Sequence, residues 1–563
     1  MTTMRSNDRV RAGRRKSIAL SILLGGASCV SLVALAQTAP DAGRTSRELA
    51  PRIAPPAPSS APRIEGLPAP APTAPGGPAV ALKAVSISGN TIFDDATLQG
   101  VVGDVDGKGF DLAGLRAIAD RVAAHYRANG YSFARALIPA QRMEGGILRI
   151  EVVEGRYAPH NLVSEDPRGR DGRVFLETLK PGTVIHSASL ERATLLLDDQ
   201  PGFKAVPLIR PGQEFGTGEL NVLVTPTQSF GGEVSVDNHG NRYTGRHRAR
   251  VDLYANSPLM FGDRFKISTL YTDENLWFGD ASYSLPVGGD GLRASIGYSN
   301  SYYQLGKEFA NLDSTGTVRT ASFGLSYPFV RSQVFNLNLS TTFQHKWIND
   351  RQQAASSDDS KTSDSVPVSL AFDFRDGVGG GALTYGALAW TPGWLHLDHG
   401  LRATDRASVD TEGQFNRFNL DVARIQALPE DFQLFGKLSA QWADKNLDSS
   451  ESFGLGGANG VRGYPAGEGY GDVGALGQLE LRYKLDLFTP YGFYDAGVVK
   501  TDRKPRTTAE NQRTLSSAGL GLRFDWEALS IDASAAWRLQ GGDPQSDIRD
   551  QVPVGWVSVR YRF

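Results

Sequence analysis

The sequence predicts two small α+β modules followed by a sixteen-stranded antiparallel β-barrel that crosses a membrane. Three observations lead to this fold class. The chain has 563 residues with 63 glycines and 26 phenylalanines, which is typical of many strands joined by turns. Its mean hydropathy of −0.28 is too low for a bundle of membrane-spanning helices. From Phe230 to Phe563, short runs alternate apolar and polar residues with the period of two that β-strands require.

Residues 1–36 have the features of a cleaved signal peptide. Six basic residues between positions 5 and 16 precede an apolar stretch, residues 17–36, whose last three residues are Ala-Leu-Ala. This small-x-small ending is the pattern that signal peptidase requires, and a transmembrane anchor is the alternative interpretation. The one cysteine, Cys29, lies in this segment, so the mature chain has none for disulfides or thiolate metal sites. Removal of the six basic residues and Asp8 leaves 53 basic and 60 acidic residues. The mature chain therefore has a net negative charge, which argues against nucleic-acid binding.

Residues 37–80 are predicted to form a linker in the periplasm. Eleven of the thirty prolines lie between Pro40 and Pro78, interleaved with alanine, and no apolar periodicity survives among them. Proline fixes φ and removes a backbone donor. The segment is therefore predicted to be an extended, solvated spacer that does not pack into a core.

Two modules of about seventy residues each follow the linker. In the first, residues 81–155, the strand KAVSISGN precedes the short helix DDATLQGVV and a longer helix with apolar residues at helical spacing from Leu112 to Tyr126. The strands FARALIPAQ and GILRIEVVEG complete the order β-α-α-β-β. The second module, residues 156–228, has the helix SASLERATLLLDDQPG and the closing strand GELNVLVTP.

Residues 229–563 are predicted to form the barrel, because sixteen alternating runs can be placed there. In VFNLNLSTTFQ, for example, Phe335 and Phe343 share one face, and Asn336 and Gln344 share the other. A soluble β-sandwich also alternates in this way and is the alternative. The number of runs, the aromatic residues on the apolar face and the charges opposite favour a closed barrel, apolar outside and polar inside. The charges on the predicted lumen face include Arg248, Arg250, Asp252, Glu480 and Arg482.

Two short patterns suggest chemistry that their surroundings do not support. GYGDVG, residues 469–474, matches the dinucleotide fingerprint, but the residues after it alternate as a strand and not as a helix. His396, Asp398 and His399 could bind a metal, but no further ligand is near them in the sequence, and a solvated strand end is the simpler interpretation. No nucleophile motif is present. The sequence therefore predicts no enzyme, no cofactor and no metal site.

Short motifs lie in both modules, in one glycine-rich loop, in one strand and at the C-terminus. The first module contains P-x-Q followed by a closing strand, and the second contains LLLDDQPGFKA. The glycine-rich loop GLGGANGVRGYPAGEGYGDVG contains V-R-G-Y, and a later strand contains F-x-D-x-G. The candidate residues are Pro139, Gln141 and Gly155; Val461, Arg462, Gly463 and Tyr464; Phe493, Asp495 and Gly497; and the terminal Tyr561 and Phe563.

These motifs, in this order, resemble the TpsB transporters of two-partner secretion, relatives of the FhaC and ShlB proteins, from about residue 82 to the end. The resemblance implies that the two modules are POTRA modules, that the V-R-G-Y loop folds back into the lumen, and that its arginine contacts the aspartate of F-x-D-x-G. It also implies that the terminal aromatic residues are a signal for the barrel-assembly machinery. The family often has an N-terminal helix that plugs the barrel. Only SRELA in residues 37–80 looks helical, so the plug is predicted to be absent or very short.

The strand pattern by itself agrees with the implied contact. In YGFYDAGVV, Asp495 shares a face with Tyr491 and Phe493, whereas Tyr494 takes the lipid side. A charge facing lipid costs several kcal/mol, so Asp495 should point inward and needs a cationic partner. Arg462 is the candidate, because its planar fork binds a carboxylate through two nitrogens. Glu480 and Arg482 are competing partners on the same lumen face.

The resemblance implies an outer-membrane pore that recognises one large unfolded exoprotein, an adhesin or a haemolysin, through its POTRA modules. The pore would pass that protein to the cell surface without ATP. Two other functions remain open: a factor that inserts other barrels into the membrane, which would usually have more POTRA modules, and a passive porin, which would not need the modules. The expected partners are the exoprotein, the barrel-assembly machinery and outer-membrane lipid, with no nucleic acid.

Overall fold

The computed structural model describes residues 40–49, 55–56, 63–64, 76–548 and 550–563. The predicted signal peptide, residues 1–36, and much of the predicted linker lie outside the described residues. Within those ranges, no helix has both the length and the apolar character needed to cross a membrane.

The predicted linker contains a short helix, α1 (Ala42–Glu48), and a two-residue strand, β1 (Arg63–Ile64). The side chain of Asp41 caps α1 by accepting a hydrogen bond from the Arg44 amide at 2.8 Å. α1 packs against barrel strands with Ala42, Gly43 and Thr45 buried. The prediction of an unpacked spacer over residues 37–80 is therefore wrong for α1. It failed because seven residues are too few to show a clear helical period.

The first module has the predicted order β-α-α-β-β. Its strands β3 (Ala84–Ser88), β5 (Arg135–Leu137) and β6 (Ile147–Val153) form one sheet in the order β3-β6-β5, beside the small pair β2 (Val80–Ala81) and β4 (Gly109–Phe110). Helices α2 (Asp95–Val102) and α3 (Leu112–Ala128) cover one face of the sheet. α3 begins where the Asp111 side chain accepts from the Gly114 amide at 2.8 Å. It ends at Ala128, and the C-cap residue Asn129 is followed by Gly130 with a φ of 88°.

The second module has a sheet in the order β1-β9-β10, with β7 and β8 pairing on the other edge of β10. Its core contains Phe175, Leu176, Leu197, Phe203 and Val222. The elements are β7 (Arg156–Tyr157), β8 (Asn161–Ser164), the 3₁₀ helix Pro167–Leu176, α4 (Ser187–Asp198), β9 (Phe203–Pro211) and β10 (Thr217–Pro226).

Glu154 lies at the junction of the two modules. The residue is 3% exposed, and its carboxylate accepts hydrogen bonds from the Thr91 amide and hydroxyl, from the Ile92 amide at 2.8 Å and from the Tyr126 hydroxyl at 3.0 Å. Arg156, the first residue of β7, donates to it at 3.1 Å. Burial raises the pKa of Glu154, but the hydrogen bonds from Thr91, Ile92 and Tyr126 outweigh it, so the pKa lies below its ordinary value.

We predict that the junction between the modules loosens in acid because of Glu154. A carboxyl whose pKa is lowered by folding stabilises the folded arrangement above its unfolded pKa of about 4.5, and this stabilisation is lost as the pH falls further. Energy transfer between dyes on the two modules should therefore change between about pH 7 and about pH 3.5. Glu154→Gln should remove most of that pH response. An equal response in both proteins would contradict the prediction.

The second module is docked on the turns at one end of the barrel. Phe261, in the turn between β12 (Arg248–Asn256) and β13 (Arg264–Thr272), is 5% exposed and inserts beside Phe203, with ring centroids 4.8 Å apart. Arg331 binds Asp199 through two nitrogens, each at 2.7 Å. The module is therefore held at the barrel mouth by a buried aromatic anchor and by an ion pair.

The barrel has sixteen antiparallel strands and is closed, as predicted. β18 and β19 form one strand, because both pair with β17 and with β20. Strand β11 closes the barrel by pairing with β29 from Glu233 to Asp237. The bounds not given above are β11 (Phe230–Asp237), β14 (Trp277–Pro286), β15 (Arg293–Gln304), β16 (Ser314–Arg331), β17 (Phe335–Gln352), β18 (Ser357–Ser365), β19 (Val368–Asp376), β20 (Ala382–Leu397), β21 (Gly413–Ala427), β22 (Phe432–Ala443), β23 (Phe453–Gly454), β24 (Tyr470–Gly471), β25 (Val473–Tyr483), β26 (Phe488–Lys500), β27 (Gln512–Trp526), β28 (Leu529–Gln540) and β29 (Val554–Arg562). A helix, α5 (His399–Ala407), follows β20, and five short 3₁₀ helices span Glu144–Gly146, Lys307–Leu312, Gln353–Ala355, Val378–Gly380 and Ser449–Glu451.

The outer face of the barrel is rich in exposed aromatic side chains. It includes Phe323, Phe343, Trp390, Trp442 and Tyr494, each between 42% and 50% exposed. Such a face is stable only against an apolar phase such as lipid. The pattern that predicted the strands therefore also predicted correctly which side chains point outward.

Candidate functional site

The glycine-rich loop lies inside the barrel. We call residues 444–472, between β22 and β25, the lumen loop; β23 and β24 pair within it. Leu455, Val461 and Tyr464 in this loop are fully buried. A β-carbon at Gly460 would overlap the Leu455 carbonyl oxygen, and one at Gly463 would lie 2.7 Å from the Ser517 β-carbon. Glycine is needed at these two positions because the loop packs closely on itself and on the wall.

Arg462 binds two carboxylates of the barrel wall at once. Its Nε and Nη2 donate to the two oxygens of Asp495 at 2.8 and 2.7 Å, and its Nη1 donates to Glu480 at 2.7 Å. The Arg462 amide also donates to Asp495 at 3.1 Å. Arg462 is 4% exposed, Asp495 0% and Glu480 4%. Glu480, which the sequence suggested as a competing partner, is a second simultaneous partner.

The ion cluster continues along the wall from Glu480. Arg482 and Arg523 both donate to the second oxygen of Glu480, at 2.8 and 3.0 Å. Arg523 also binds Asp532 at 2.7 Å, and Tyr491 donates to Asp532 at 2.7 Å. Three arginines, including Arg462, therefore face three carboxylates, so the cluster is neutral and each buried charge has a partner.

The other motif residues pack around this cluster. The guanidinium carbon of Arg462 lies 3.5 Å from the centroid of the Phe493 ring, a cation–π contact. A β-carbon at Gly497 would lie 2.7 Å from Leu455 Cδ2, so this glycine leaves room for the lumen loop. The Tyr464 hydroxyl donates to the Gln540 carbonyl at 2.8 Å. Both motifs thus contribute to one buried contact between loop and wall.

The Arg462 carbonyl has a partner that no motif indicated. The indole nitrogen of Trp556, on the last strand, donates to it at 2.8 Å. Arg523 and Asp532 were also not singled out from the sequence. Both are charged residues within alternating strands, as Glu480 is, but only the pairing of β27 with β28 places Arg523 opposite Asp532.

The helix α1 occupies the lumen beside this loop. Of the two expectations for the plug, its absence is contradicted, whereas the alternative of a very short plug agrees with the seven residues of α1. The Ala42 amide donates to Asp350 at 2.9 Å, and Arg47 donates to the Ser452 carbonyl at 3.1 Å. The Tyr470 hydroxyl donates to Glu48 at 3.1 Å. α1 is therefore bound both to the wall and to the lumen loop.

A cavity of about 920 Å³ remains in the lumen next to α1 and the lumen loop. Its lining is polar and carries both signs of charge, including Arg250, Asp252, Lys266, Asp421 and Lys437. Arg248, Arg250 and Asp252 are thus lumen residues, as predicted. Among the described residues, no group of histidine, cysteine or acidic side chains is arranged to hold a metal ion. The Asp398 carboxylate, in HLDH, instead caps α5 by accepting from the Leu401 amide at 2.9 Å.

The remaining candidate residues are not part of the lumen contact. In the first module, the Gln141 side chain exchanges two hydrogen bonds with the Arg149 backbone, each at 2.8 Å, just after Pro139. Gly155 has a φ of 74° at the junction of the modules. Tyr561 and Phe563 point outward on and after β29 and are about half exposed.

Comparison with known proteins agrees with this architecture. The family model described as "Haemolysin secretion/activation protein ShlB/FhaC/HecB" matches residues 216–524, and the model described as "POTRA domain, ShlB-type" matches residues 80–155. The heme/hemopexin transporter protein HuxB of Haemophilus influenzae is 28% identical over 457 residues, 78% of this chain and 80% of that protein. The outer membrane transporter CdiB of Escherichia coli is 25% identical over 431 residues, 73% and 70% of the two chains.

Solved structures of similar proteins share the fold. CdiB from Escherichia coli superposes with a TM-score of 0.73 at 22% identity, covering 90% of this chain and 94% of that one. CdiB from Acinetobacter baumannii gives a TM-score of 0.64 at 18% identity, covering 91% and 95%.

Proposed function

The chain belongs to the ShlB/FhaC/HecB family of haemolysin secretion/activation proteins, and we propose from this premise how it works. It is a transporter of the Gram-negative outer membrane that secretes an exoprotein, with its POTRA modules in the periplasm. We propose that it serves one large exoprotein of the adhesin or haemolysin class. The observation that supports this most is the combination of two modules docked at the mouth of a barrel with a polar lumen.

The POTRA modules would capture the exoprotein while it is unfolded. An unfolded chain has unpaired backbone groups, and a sheet edge can accept it as an added strand. The periplasm supplies no ATP, so folding of the exoprotein outside the cell provides the driving force by making its return unfavourable. The mixed charges of the lumen let an extended chain pass without binding tightly to one surface.

The lumen contact would hold the resting pore closed. α1 and the lumen loop together occupy the space that an exoprotein must cross, so both have to move before transport. The ion cluster at Arg462 is buried and neutral, and its geometry is specific, so it favours one position of the loop. We propose that this contact both braces the barrel and gates it.

Removal of the first module tests this function against the alternatives. Cells that lack residues 81–155 of this chain should lose one specific large protein from the culture medium, while other outer-membrane barrels keep their normal levels. The shortened barrel itself must be detected in the outer membrane as a control. A joint fall of many outer-membrane barrels would favour an assembly factor, and an unchanged set of secreted proteins would contradict secretion.

We also propose that the barrel-assembly machinery reads the C-terminal residues Tyr561 and Phe563. The Phe563 backbone exchanges two hydrogen bonds with Gly232, at 2.9 and 3.1 Å, and these survive a change of side chain. Phe563→Ala should therefore lower the amount of inserted barrel several-fold without changing the thermal stability of the barrel that is inserted. Tyr494→Ala, at another outward aromatic residue, is the matched control. Equal insertion of both variants would argue against the signal.

A further inference from the structure

A cluster of positive charge lies at the end of the barrel opposite the docked modules. Neighbouring strands are antiparallel, so alternate connections lie at alternate ends of the barrel. The second module docks on the turn between β12 and β13, and the connection between β26 and β27, residues 501–511, therefore lies at the other end. Because the modules are in the periplasm, this connection faces the outer leaflet and the cell exterior.

The start of this connection has an excess of basic residues. Residues 500–506 contain four basic residues and one acidic residue, Asp502. Arg506 is neutralised, because it binds Asp410 at 2.5 Å. The other three, Lys500, Arg503 and Lys504, form no ion pair within the part of the chain that the structure describes. The segment therefore offers positive charge to an anion from outside the chain.

Three aromatic side chains form a row on the outer face of the barrel beside these charges. Trp390, Phe418 and Trp442 point outward from β20, β21 and β22, and each is between 40% and 43% exposed. The ring centroids of Trp390 and Phe418 are 6.5 Å apart, and those of Phe418 and Trp442 are 5.6 Å apart. Aromatic residues are enriched where a membrane protein passes from the hydrocarbon into the headgroup layer. The row therefore lies at the headgroup level of the outer leaflet.

Arg503 lies against the last ring of this row. Its guanidinium carbon is 5.7 Å from the centroid of the Trp442 ring, a cation–π contact. Its Nε donates to the Ala443 carbonyl at 3.1 Å. The remaining guanidinium donors of Arg503 are available beside an outward-facing aromatic side chain.

Lys500 lies on the same outer face. It is exposed and is six residues from the outward-facing Tyr494 on the same uninterrupted strand, so both side chains point outward. The strand order β22-β25-β26 and the pairing of Val473 with Lys500 place Lys500 two strand spacings, about 10 Å, from Trp442. Lys500 and Arg503 thus flank one short stretch of the outer rim.

The backbone that carries the two cations is held by the lumen loop. The Asp472 carboxylate accepts from the Arg503 amide at 2.8 Å, and the Asp472 amide donates to the Lys500 carbonyl at 3.0 Å. The Asn446 side chain exchanges two hydrogen bonds with the Lys504 backbone, at 2.7 and 3.1 Å. The cations are therefore presented by an ordered backbone, so an anion that binds them does not have to order the chain first.

We propose that Lys500 and Arg503 bind the phosphate of a lipid in the outer leaflet, and that the acyl chains of this lipid pack on the row Trp390, Phe418 and Trp442. Guanidinium and ammonium groups form charge-assisted hydrogen bonds with phosphate oxygens. A soluble anion would gain only these bonds, whereas a lipid also covers the aromatic surface, so the ligand is a phosphorylated lipid. This binding is separate from transport of the exoprotein and does not rest on it.

The test uses the full chain in detergent, with diphosphoryl lipid A as the probe. The control probe is the same lipid after both phosphates have been removed. Native mass spectrometry, which counts bound lipids by their mass, should show the phosphorylated lipid binding about tenfold more tightly than the control lipid. Millimolar inorganic phosphate should not displace it.

Variants of the protein locate the site. Lys500→Glu should weaken binding of diphosphoryl lipid A about tenfold and leave binding of the control lipid unchanged, a split that a damaged barrel would not produce. Trp442→Ser should weaken binding of both lipids. Lys83→Glu, at an exposed lysine of the first module, makes the same change in net charge and should have no effect.

Three results would overturn the proposal. The first is equal affinity of the unaltered protein for the two lipids. The second is displacement of lipid A by inorganic phosphate, which would assign the cations to a free anion. The third is unchanged binding of diphosphoryl lipid A in Lys500→Glu or in Trp442→Ser.

Discussion

Replacement of Arg462 by alanine is expected to release the lumen loop from the barrel wall. The change leaves Asp495 and Glu480 buried without their shared cation, and loss of one partner from a buried ion pair costs about 3–5 kcal/mol. The barrel should still insert into the membrane, because the backbone hydrogen bonds between its strands do not involve the Arg462 side chain. Conductance in planar bilayers should rise as the loop leaves the lumen, and secretion of the exoprotein should fall at least several-fold.

Arg462→Lys is the matched control for this prediction. Lysine keeps the charge but cannot bind Asp495 and Glu480 through the separate nitrogens of a planar fork, so an intermediate effect is expected. A difference in electrophoretic mobility between unheated and heated samples shows whether each barrel is folded. Wild-type conductance together with wild-type secretion in Arg462→Ala would show that the ion cluster neither gates nor braces the pore.

Replacement of Phe261 by alanine is expected to detach the second module from the barrel. Truncation of a buried phenylalanine costs about 3–5 kcal/mol, and Phe261 is the apolar anchor between the module and the turn that joins β12 to β13. Protease should then cleave the connection between β10 and β11, residues 227–229, much faster than in the unaltered protein. Secretion should also fall, because the modules no longer present the exoprotein at the mouth.

Leu259→Ala is the control for Phe261. Leu259 lies two residues earlier in the same turn but is 75% exposed, so its truncation should leave the cleavage rate unchanged. Equal cleavage rates for the Phe261 variant and the unaltered protein would mean that the ion pair of Arg331 with Asp199 suffices to hold the module.

Most of the barrel could be predicted from the sequence because its pattern is local. A strand between lipid and a polar lumen must alternate, so the run that contains Phe335 and Phe343 shows both its conformation and its outward face. The first module could be predicted equally well from the sequence, since α3 has a capping aspartate, apolar residues at helical spacing and a glycine after its end. Each of these signals lies within about twenty residues.

The candidate site could be predicted only in part, because its contacts join distant residues. The inward face of Asp495 follows from its strand, but the choice of Arg462 came from the family resemblance. Arg462 can bind Asp495 and Glu480 together because β26, which carries Asp495, pairs with β25, which carries Glu480. The sequence alone does not show this pairing. Of the helix α1, the sequence indicated only the end, in SRELA, because the stability of α1 comes from packing against the lumen loop and the wall, and seven residues are too few to show a helical period.

Passage of the exoprotein through the barrel is the central claim, and a cross-linking measurement tests it most directly. Ser439 lines the lumen cavity, and its neighbour Leu438 points outward with 46% exposure. Because Cys29 is the chain's only cysteine and lies in the predicted signal peptide, Ser439→Cys and Leu438→Cys each place one thiol in the mature barrel. An exoprotein stalled by a fast-folding C-terminal fusion, and carrying one cysteine, should form a disulfide with the Ser439→Cys protein and not with the Leu438→Cys protein. Cross-linking to the outward position alone, or to neither, would contradict transport through the lumen.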